Sequence, residues 1–128
     1  MTTEPSKTAC RIYGIKNCAT MQKAFAWCDA HGVAYTFHDY KKLGIDAARL
    51  ASWCAQVGWK PLVNTRGTTW RKLTPAQQAI AGESQAIALM VEFPSLIKRP
   101  VVEAPNLLLV GFAADEFARL ASKASESA

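Results

Sequence analysis

The first part of the chain arranges apolar and polar positions in a way that predicts a strand, a helix and a second strand. Residues 9–15 contain the strand formers Ile12 and Tyr13, and residues 33–38 alternate apolar with polar side chains, as strands do. Between them, apolar residues recur at the i, i+3, i+4, i+7 spacing of one helix face: Met21, Ala24, Phe25 and Cys28. This order favours a parallel, right-handed β-α-β unit.

The middle of the chain carries helical patterns. Asp46 is a candidate N-cap for a helix that ends at Gly58. The apolar face of this helix is formed by Leu50, Trp53, Cys54 and Val57. Residues 58–70 are loop-rich, and a Thr-Pro pair then opens a short helix over about residues 74–82. Ser84 is the expected N-cap of a further helix, which ends before a Phe-Pro pair.

The last part of the chain predicts a hairpin and a helix. Two short apolar runs, residues 101–102 and 107–110, flank the turn signal Pro105-Asn106, as in an antiparallel hairpin. An amphipathic helix follows, with an inner face formed by Phe117, Leu120 and Ala121. The order β-α-β, helices, β-β-α indicates an α/β or α+β protein with a helical insertion, which is the outline of a thioredoxin-like fold.

Length and composition narrow the class of protein. At 128 residues the chain is most simply one domain, and with 50% hydrophobic and 20% charged residues its bulk is not a disordered polyelectrolyte. No apolar run approaches the roughly 20 residues that span a bilayer, and the first nine residues do not resemble a signal peptide. We therefore expect a soluble cytoplasmic protein without a membrane partner.

The formal net charge of +5 comes from dispersed basic residues. The densest clusters are the pairs Lys41-Lys42, Arg71-Lys72 and Lys98-Arg99. A solvated, mildly basic surface explains them most simply, and a preference for small anionic ligands is the second interpretation. Direct nucleic-acid binding ranks third, because no long basic run or aromatic-interleaved basic stretch is present.

The four cysteines form no C-x-x-C pair, and with only two histidines we expect no structural metal site. In a reducing compartment they should be thiols. Cys28 and Cys54 lie on apolar helix faces and Cys10 in a strand-like run, so we expect all three to be buried. Cys18 differs, because it falls where the first helical pattern starts.

A thiol at a helix N-terminus is more easily ionised than an ordinary thiol. Unpaired backbone N–H groups and the positive end of the helix dipole favour an anion there, and such thiols have a depressed pKa. Lys16, two residues upstream, would act in the same direction. The residues alone leave two interpretations of Cys18 open, a reactive thiolate or a small side chain that fills space.

Four ordered motifs resemble the ArsC/Spx family, and its YffB-like branch in particular. They are Tyr13-Gly-Ile-Lys-Asn-Cys18, Thr65-Arg66-Gly67, Leu96-Ile-Lys-Arg99-Pro100-Val-Val and Val110-Gly-Phe112. The resemblance covers residues 9–121 and implies an α/β, thioredoxin-like fold with an inserted helical subdomain. The core would comprise about residues 9–42 and 96–121, and the insertion about 43–95. Residues 1–8 and 122–128 are expected to be flexible ends.

The resemblance also implies roles for individual residues. Cys18 matches the nucleophilic cysteine of the family, Arg99 an arginine that binds the oxyanion in arsenate reductases, and Pro100 the position of an active-site cis-proline. Lys16, Asn17 and Arg66 would complete a site for substrate or glutathione, although the alignment through Trp70 and Leu73 places Asn64 rather than Arg66 at the second arginine. Glutathione is the implied co-substrate, with no tightly bound cofactor, and glutaredoxin is a possible partner.

Two departures from the family pattern help to rank the functions that the resemblance implies for this chain. Phe112 stands where a third arginine is expected in an arsenate reductase, and Cys18-Ala-Thr-Met21 replaces the C-x-x-C of redox-sensing Spx proteins. Both leave a monothiol, so the leading hypothesis is a glutathione-dependent monothiol reductase. The alternatives are an Spx-like transcriptional regulator that binds RNA polymerase and a weak arsenate reductase.

Overall fold

The protein is an α/β structure with one sheet and several helices. The computed structural model describes residues 10–16, 18–105 and 107–127. The strands are β1 (Cys10–Gly14), β2 (Tyr35–Asp39), β3 (Val101–Ala104) and β4 (Leu107–Val110). The α-helices are α1 (Ala19–Ala30), α2 (Tyr40–Leu43), α3 (Ala47–Val57), α4 (Thr68–Lys72), α5 (Pro75–Gln78), α6 (Glu83–Glu92) and α7 (Ala114–Ser127), with 3-10 turns at Lys60–Leu62 and Pro94–Leu96. The predicted fold class is confirmed.

The chain forms two compact units. The first unit combines two segments of the chain, one that ends at His38 and one that begins at Arg99. The second unit is the segment between them, Asp39–Lys98. The sheet belongs to the first unit and has the order β2-β1-β3-β4. β3 pairs antiparallel with both β1 and β4. The hairpin predicted for β3 and β4 is therefore confirmed, and β2 lies beside β1 as expected for a β-α-β unit.

One face of the sheet carries the core of the first unit. Ile12, Val102 and Leu109 are register partners in successive strands, so their side chains form a row across the sheet. Helices α1 and α7 pack against this row. The buried residues of the cluster are Cys10, Ile12, Met21, Ala24, Cys28, Val33, Val102, Leu107, Leu109, Phe117 and Leu120. The apolar spacing predicted for α1 thus marks its buried face.

The ends of α1 have clear local causes. The carbonyl of Cys18 accepts the N–H of Gln22 at 3.0 Å, which is the first hydrogen bond of the helix. At the other end His31 is the C-cap residue, and Gly32 has a φ of +66°, a backbone conformation that glycine adopts at little cost. Gly32 therefore follows the C-cap as a helix stop.

The second unit is built on α3 and α6, which are in contact. Its buried side chains include Leu50, Trp53, Cys54, Ala86, Leu89 and Met90. Asp46 caps α3 by accepting the N–H of Arg49 at 2.7 Å, and Gly58 ends it with a φ of +83°. Both predictions are confirmed, as is the burial of Cys54 and, in the first unit, of Cys10 and Cys28.

Several predicted boundaries were wrong. Helix α6 begins at Glu83, and its N-cap is Gly82 rather than the expected Ser84. Helix α5 ends at Gln78, well before Gly82. The loop-rich stretch 58–70 contains a 3-10 turn and the start of α4. These elements are too short to show a helical period in the sequence.

Some predictions concern the ends of the chain or residues outside the described ranges. Helix α7 continues to Ser127, beyond position 121 where the sequence analysis ends the domain. Three predictions lie outside the described residues: the flexible segment 1–8, Asn17 as a site residue and Asn106 as a turn residue. In the part of the chain that the structure describes, no helix combines the length and apolarity needed to cross a membrane.

Candidate functional site

Cys18 lies at the N-cap of α1, in the first unit. Its backbone is extended, with φ −124° and ψ 132°, while its carbonyl already belongs to the first turn of the helix. The side chain is partly exposed and packs beside the core of the unit. The predicted position of the thiol at the start of a helix is thus the observed one.

The surroundings of Cys18 favour its thiolate. Burial raises the pKa of the thiol, but a hydrogen bond from the Arg99 side chain and hydrogen bonds from the backbone N–H groups of Met21 and Thr20 lower it, as does the positive charge of Arg99. The lowering effects win, so the pKa lies below its ordinary value. These groups favour the thiolate, because an anion accepts such hydrogen bonds more strongly than a neutral thiol does.

The other three cysteines have the opposite chemistry. Burial raises the pKa of Cys10 to about 11 and, together with the charges of Cys10 and Asp29, that of Cys28 to about 12. The pKa of Cys54 is raised by burial and by Glu83. These thiols stay protonated and are nearly inaccessible, so Cys18 is the one of the four cysteines with a favoured thiolate.

Arg99 and Pro100 lead directly into β3. The peptide bond between them is cis, and Pro100 is buried. Its carbonyl accepts the N–H of Gly111 at 2.8 Å. Arg99 is partly exposed and places its guanidinium at the sulfur of Cys18, so the structure brings together two residues that are far apart in the sequence.

The other predicted site residues are placed less directly. Lys16 is exposed, and its carbonyl accepts the side-chain N–H of Gln22 at 3.4 Å. Among the described residues, Lys16 is not one of the groups that lower the Cys18 pKa. Arg66 is exposed in the second unit, where its N–H donates to Oδ1 of Asn64 at 3.1 Å and its carbonyl accepts Nη2 of Arg71 at 3.0 Å.

Sequence reasoning missed the backbone contribution to this site. The N–H groups of Thr20 and Met21 act through the backbone, so no residue type indicates them, although a helix N-terminus always carries such donors. The packing of the buried Met21 side chain against Gly14, next to the site, could not be read from the sequence either, because the two residues are joined only in the fold.

Phe112 is held by aromatic packing. Its ring lies 4.8 Å from that of Phe117, at 69°, an edge-to-face arrangement. Phe117 is fully buried in the core of the first unit. Phe112, the position at which the resemblance led us to expect an arginine in an arsenate reductase, therefore contributes an apolar side chain to packing. No group of three or more histidine, cysteine or acidic side chains suited to a metal ion occurs among the residues that the structure describes.

Comparison with known proteins gives consistent results. The profile of the ArsC family matches residues 13–120. A solved YffB protein shares 52% sequence identity and a TM-score of 0.83, over 87% of this chain and 97% of that protein. An arsenate reductase (ArsC) related protein from Brucella melitensis shares 44% identity and a TM-score of 0.71, over 91% and 97% of the two chains.

A regulator is among the curated relatives. Global transcriptional regulator Spx 1 of Lactococcus lactis is 25% identical over 107 residues, which are 82% of this chain and 83% of that protein. Together with the matching solved structures, these similarities confirm the predicted resemblance and the arsenate-reductase-like, thioredoxin-like fold.

Proposed function

The chain belongs to the ArsC family, and we propose that it is a glutathione-dependent monothiol reductase in which Cys18 is the nucleophile. The observation that carries the proposal is the contrast between Cys18 and the other cysteines. Cys18 is partly exposed, at a helix N-terminus and beside a guanidinium, and its pKa is lowered, whereas the other three thiols are buried with raised pKa values.

The first step is attack of the Cys18 thiolate on a mixed disulfide between a substrate thiol and glutathione. The Cys18 sulfur forms a bond to the glutathione sulfur, the original S–S bond breaks, and the substrate leaves as a thiolate. Donors that stabilise the thiolate also keep it available at neutral pH. A partly exposed sulfur can be reached by a disulfide, which a buried one cannot.

The second step returns the enzyme to its starting state. The thiolate of a second glutathione attacks the glutathione sulfur of the mixed disulfide, oxidised glutathione is released, and Cys18 becomes a thiolate again. A glutaredoxin could supply this thiolate instead of glutathione. No second cysteine is needed, which fits the Met at position 21.

Arg99 has two successive uses in this cycle. In the resting protein its guanidinium hydrogen-bonds to the Cys18 thiolate. Once the sulfur is in a neutral disulfide, the guanidinium can pair with a carboxylate of the bound glutathione, since arginine binds carboxylates well. Pro100 itself is buried, so backbone groups beside it, rather than its ring, would pair with the glutathione chain. Lys16, Asn17 and Arg66 remain proposed ligands of glutathione or substrate.

The proposed dependence on glutathione also supports a location in the cytoplasm, because glutathione keeps thiols reduced in that compartment.

The experiment is to incubate the reduced protein with oxidised glutathione between about pH 5 and about pH 9 and to map the adducts by peptide mass spectrometry. We expect modification at Cys18 that persists well below about pH 8.5, the pKa of an ordinary thiol. The buried Cys10, Cys28 and Cys54 serve as internal controls. Cys18→Ser should abolish glutathione-linked turnover, and turnover that survives in this variant would refute the proposal.

A second candidate function follows from the Spx relative, which aligns along most of both chains. In this alternative the protein is a regulator that binds RNA polymerase without redox control, since it lacks a C-x-x-C motif. Co-purification of polymerase subunits with both the wild type and Cys18→Ser would favour this alternative. Absence of polymerase, with adduct formation at Cys18, would favour the reductase.

A further inference from the structure

The buried side chain of Met21 occupies the space that a side chain at position 14 would need. Met21 is 0% exposed and lies in the first turn of α1, and Gly14 is the buried last residue of β1. A Cβ built on Gly14 would overlap Sδ of Met21 and lie 2.5 Å from its Cε, closer than real Cβ atoms approach. Glycine is therefore present for space, and its contact with the thioether joins the end of β1 to the start of α1.

This contact lies next to the groups that serve Cys18. Cys18 is the N-cap residue of α1, so the N–H groups of Thr20 and Met21, at the second and third helical positions, are those that its side chain can reach, and both lower its pKa. One of these donors belongs to the same residue as the buried thioether. Because the direction of an N–H group is set by the orientation of its helical turn, fixing the Met21 side chain fixes the donor as well.

We infer that Gly14 and Met21 are positioning residues: the thioether, seated against Gly14, holds the first turn of α1 so that its N–H groups face the Cys18 sulfur. The inference rests on the proposed role of Cys18 as the reacting thiol. Methionine is flexible enough to fit an irregular gap, but this side chain is completely enclosed. Added volume at position 14 would therefore displace either the side chain or the turn that carries it.

The test compares Gly14→Ala, Met21→Ala and the double variant Gly14→Ala/Met21→Ala. Two quantities are measured for each: the pH midpoint of Cys18 alkylation by iodoacetamide, followed by peptide mass spectrometry, and the midpoint of urea unfolding. Leu109→Ala is the matched control, because Leu109 belongs to the same core but lies on β4. It should weaken the fold without touching the first turn of α1.

We expect each single substitution to raise the alkylation midpoint by about half a pH unit or more, since a misdirected donor loses part of a charge-assisted hydrogen bond. Leu109→Ala should lower the urea midpoint and leave the alkylation midpoint unchanged. In the double variant the new methyl group fills part of the space that the thioether leaves. Its shift should therefore be smaller than the sum of the two single shifts.

Three results would overturn the inference. In the first, the single variants lose stability but keep the wild-type alkylation midpoint. In the second, their alkylation midpoints shift no more than that of Leu109→Ala. In the third, the shift of the double variant equals the sum of the two single shifts. Should Gly14→Ala fail to fold, Met21→Leu takes its place, because it keeps the volume but branches beside Gly14 and should also raise the midpoint. Alkylation does not involve glutathione, so failure of glutathione turnover would refute the reductase and leave this readout intact.

Discussion

Arg99→Met is the substitution that tests the candidate site most directly. Among the described residues, Arg99 provides the side chain that lowers the Cys18 pKa, through both a hydrogen bond and its charge. Methionine removes the charge and the donors but keeps an unbranched stem beside the sulfur. The burial that raises the Cys18 pKa then changes little, so the substitution isolates the contribution of the guanidinium.

The size of the effect follows from the exposure of the pair. A hydrogen bond to a charged group contributes about 1.5–3 kcal/mol, and because Cys18 and Arg99 are both partly exposed, solvent screening leaves about 1.5 kcal/mol. About 1.4 kcal/mol corresponds to one pH unit. Arg99→Met should therefore raise the Cys18 pKa by about one unit. Arg99→Lys should give a smaller rise, because it keeps the charge but loses the planar donors.

The assay is the rate of iodoacetamide alkylation at Cys18 as a function of pH. Lys16→Met is the matched control, because Lys16 is an exposed cation two residues from Cys18 that is not among the groups lowering its pKa. It should move the midpoint much less. A wild-type midpoint in Arg99→Met, or an equal shift in Lys16→Met, would show that general basic charge rather than the Arg99 contact tunes the thiol.

Three further predictions concern the fold around the site. Phe112→Arg should lower the free energy of unfolding by about 0.5–1.5 kcal/mol, measured in urea, because it loses the ring contact with Phe117; unchanged stability would contradict the packing role. Asp46→Ala should cost about 1 kcal/mol through loss of the α3 cap, whereas Asp46→Asn should keep it, and equal losses in the same assay would exclude capping. Cys28 remains protonated in the folded protein, with a pKa of about 12, while the unfolded thiol ionises near the ordinary value of about 8.5. Its contribution to stability is complete below that value and is lost as the pH rises toward 12, so above pH 9 the wild type should lose up to about 1.4 kcal/mol per pH unit more than Cys28→Ala in reducing urea titrations. Parallel pH profiles would contradict this assignment.

The sequence alone was sufficient for elements that depend on near neighbours. The buried face of α1 follows from the spacing of Met21, Ala24 and Cys28, since residues three and four apart share one side of a helix. Asp46 caps α3 through an N–H three residues away, and the hairpin of β3 and β4 needs only two apolar runs around a turn. Short helices such as α2 and α4 were missed, because fewer than two turns show no period.

The resemblance to a family suggested roles for individual residues, which local patterns in the sequence do not give. It predicted Cys18 as the nucleophile and Arg99 as an oxyanion ligand, and it identified Phe112 as a departure from the pattern of arsenate reductases. The placement of Arg99 at the Cys18 sulfur and the packing of Phe112 on Phe117 come from the structure. These roles in catalysis stay predictions that the experiments above address.

Only the tertiary structure decided how the thiol is tuned. The pKa of Cys18 depends on burial, on a guanidinium brought from the start of β3, and on the direction of two N–H groups in the first turn of α1. The contact between Gly14 and Met21 that we infer to hold this turn is likewise a matter of enclosed space. The order of residues along a chain encodes periodicity, whereas the free energy of a charge depends on the distances and directions of groups that only folding brings together.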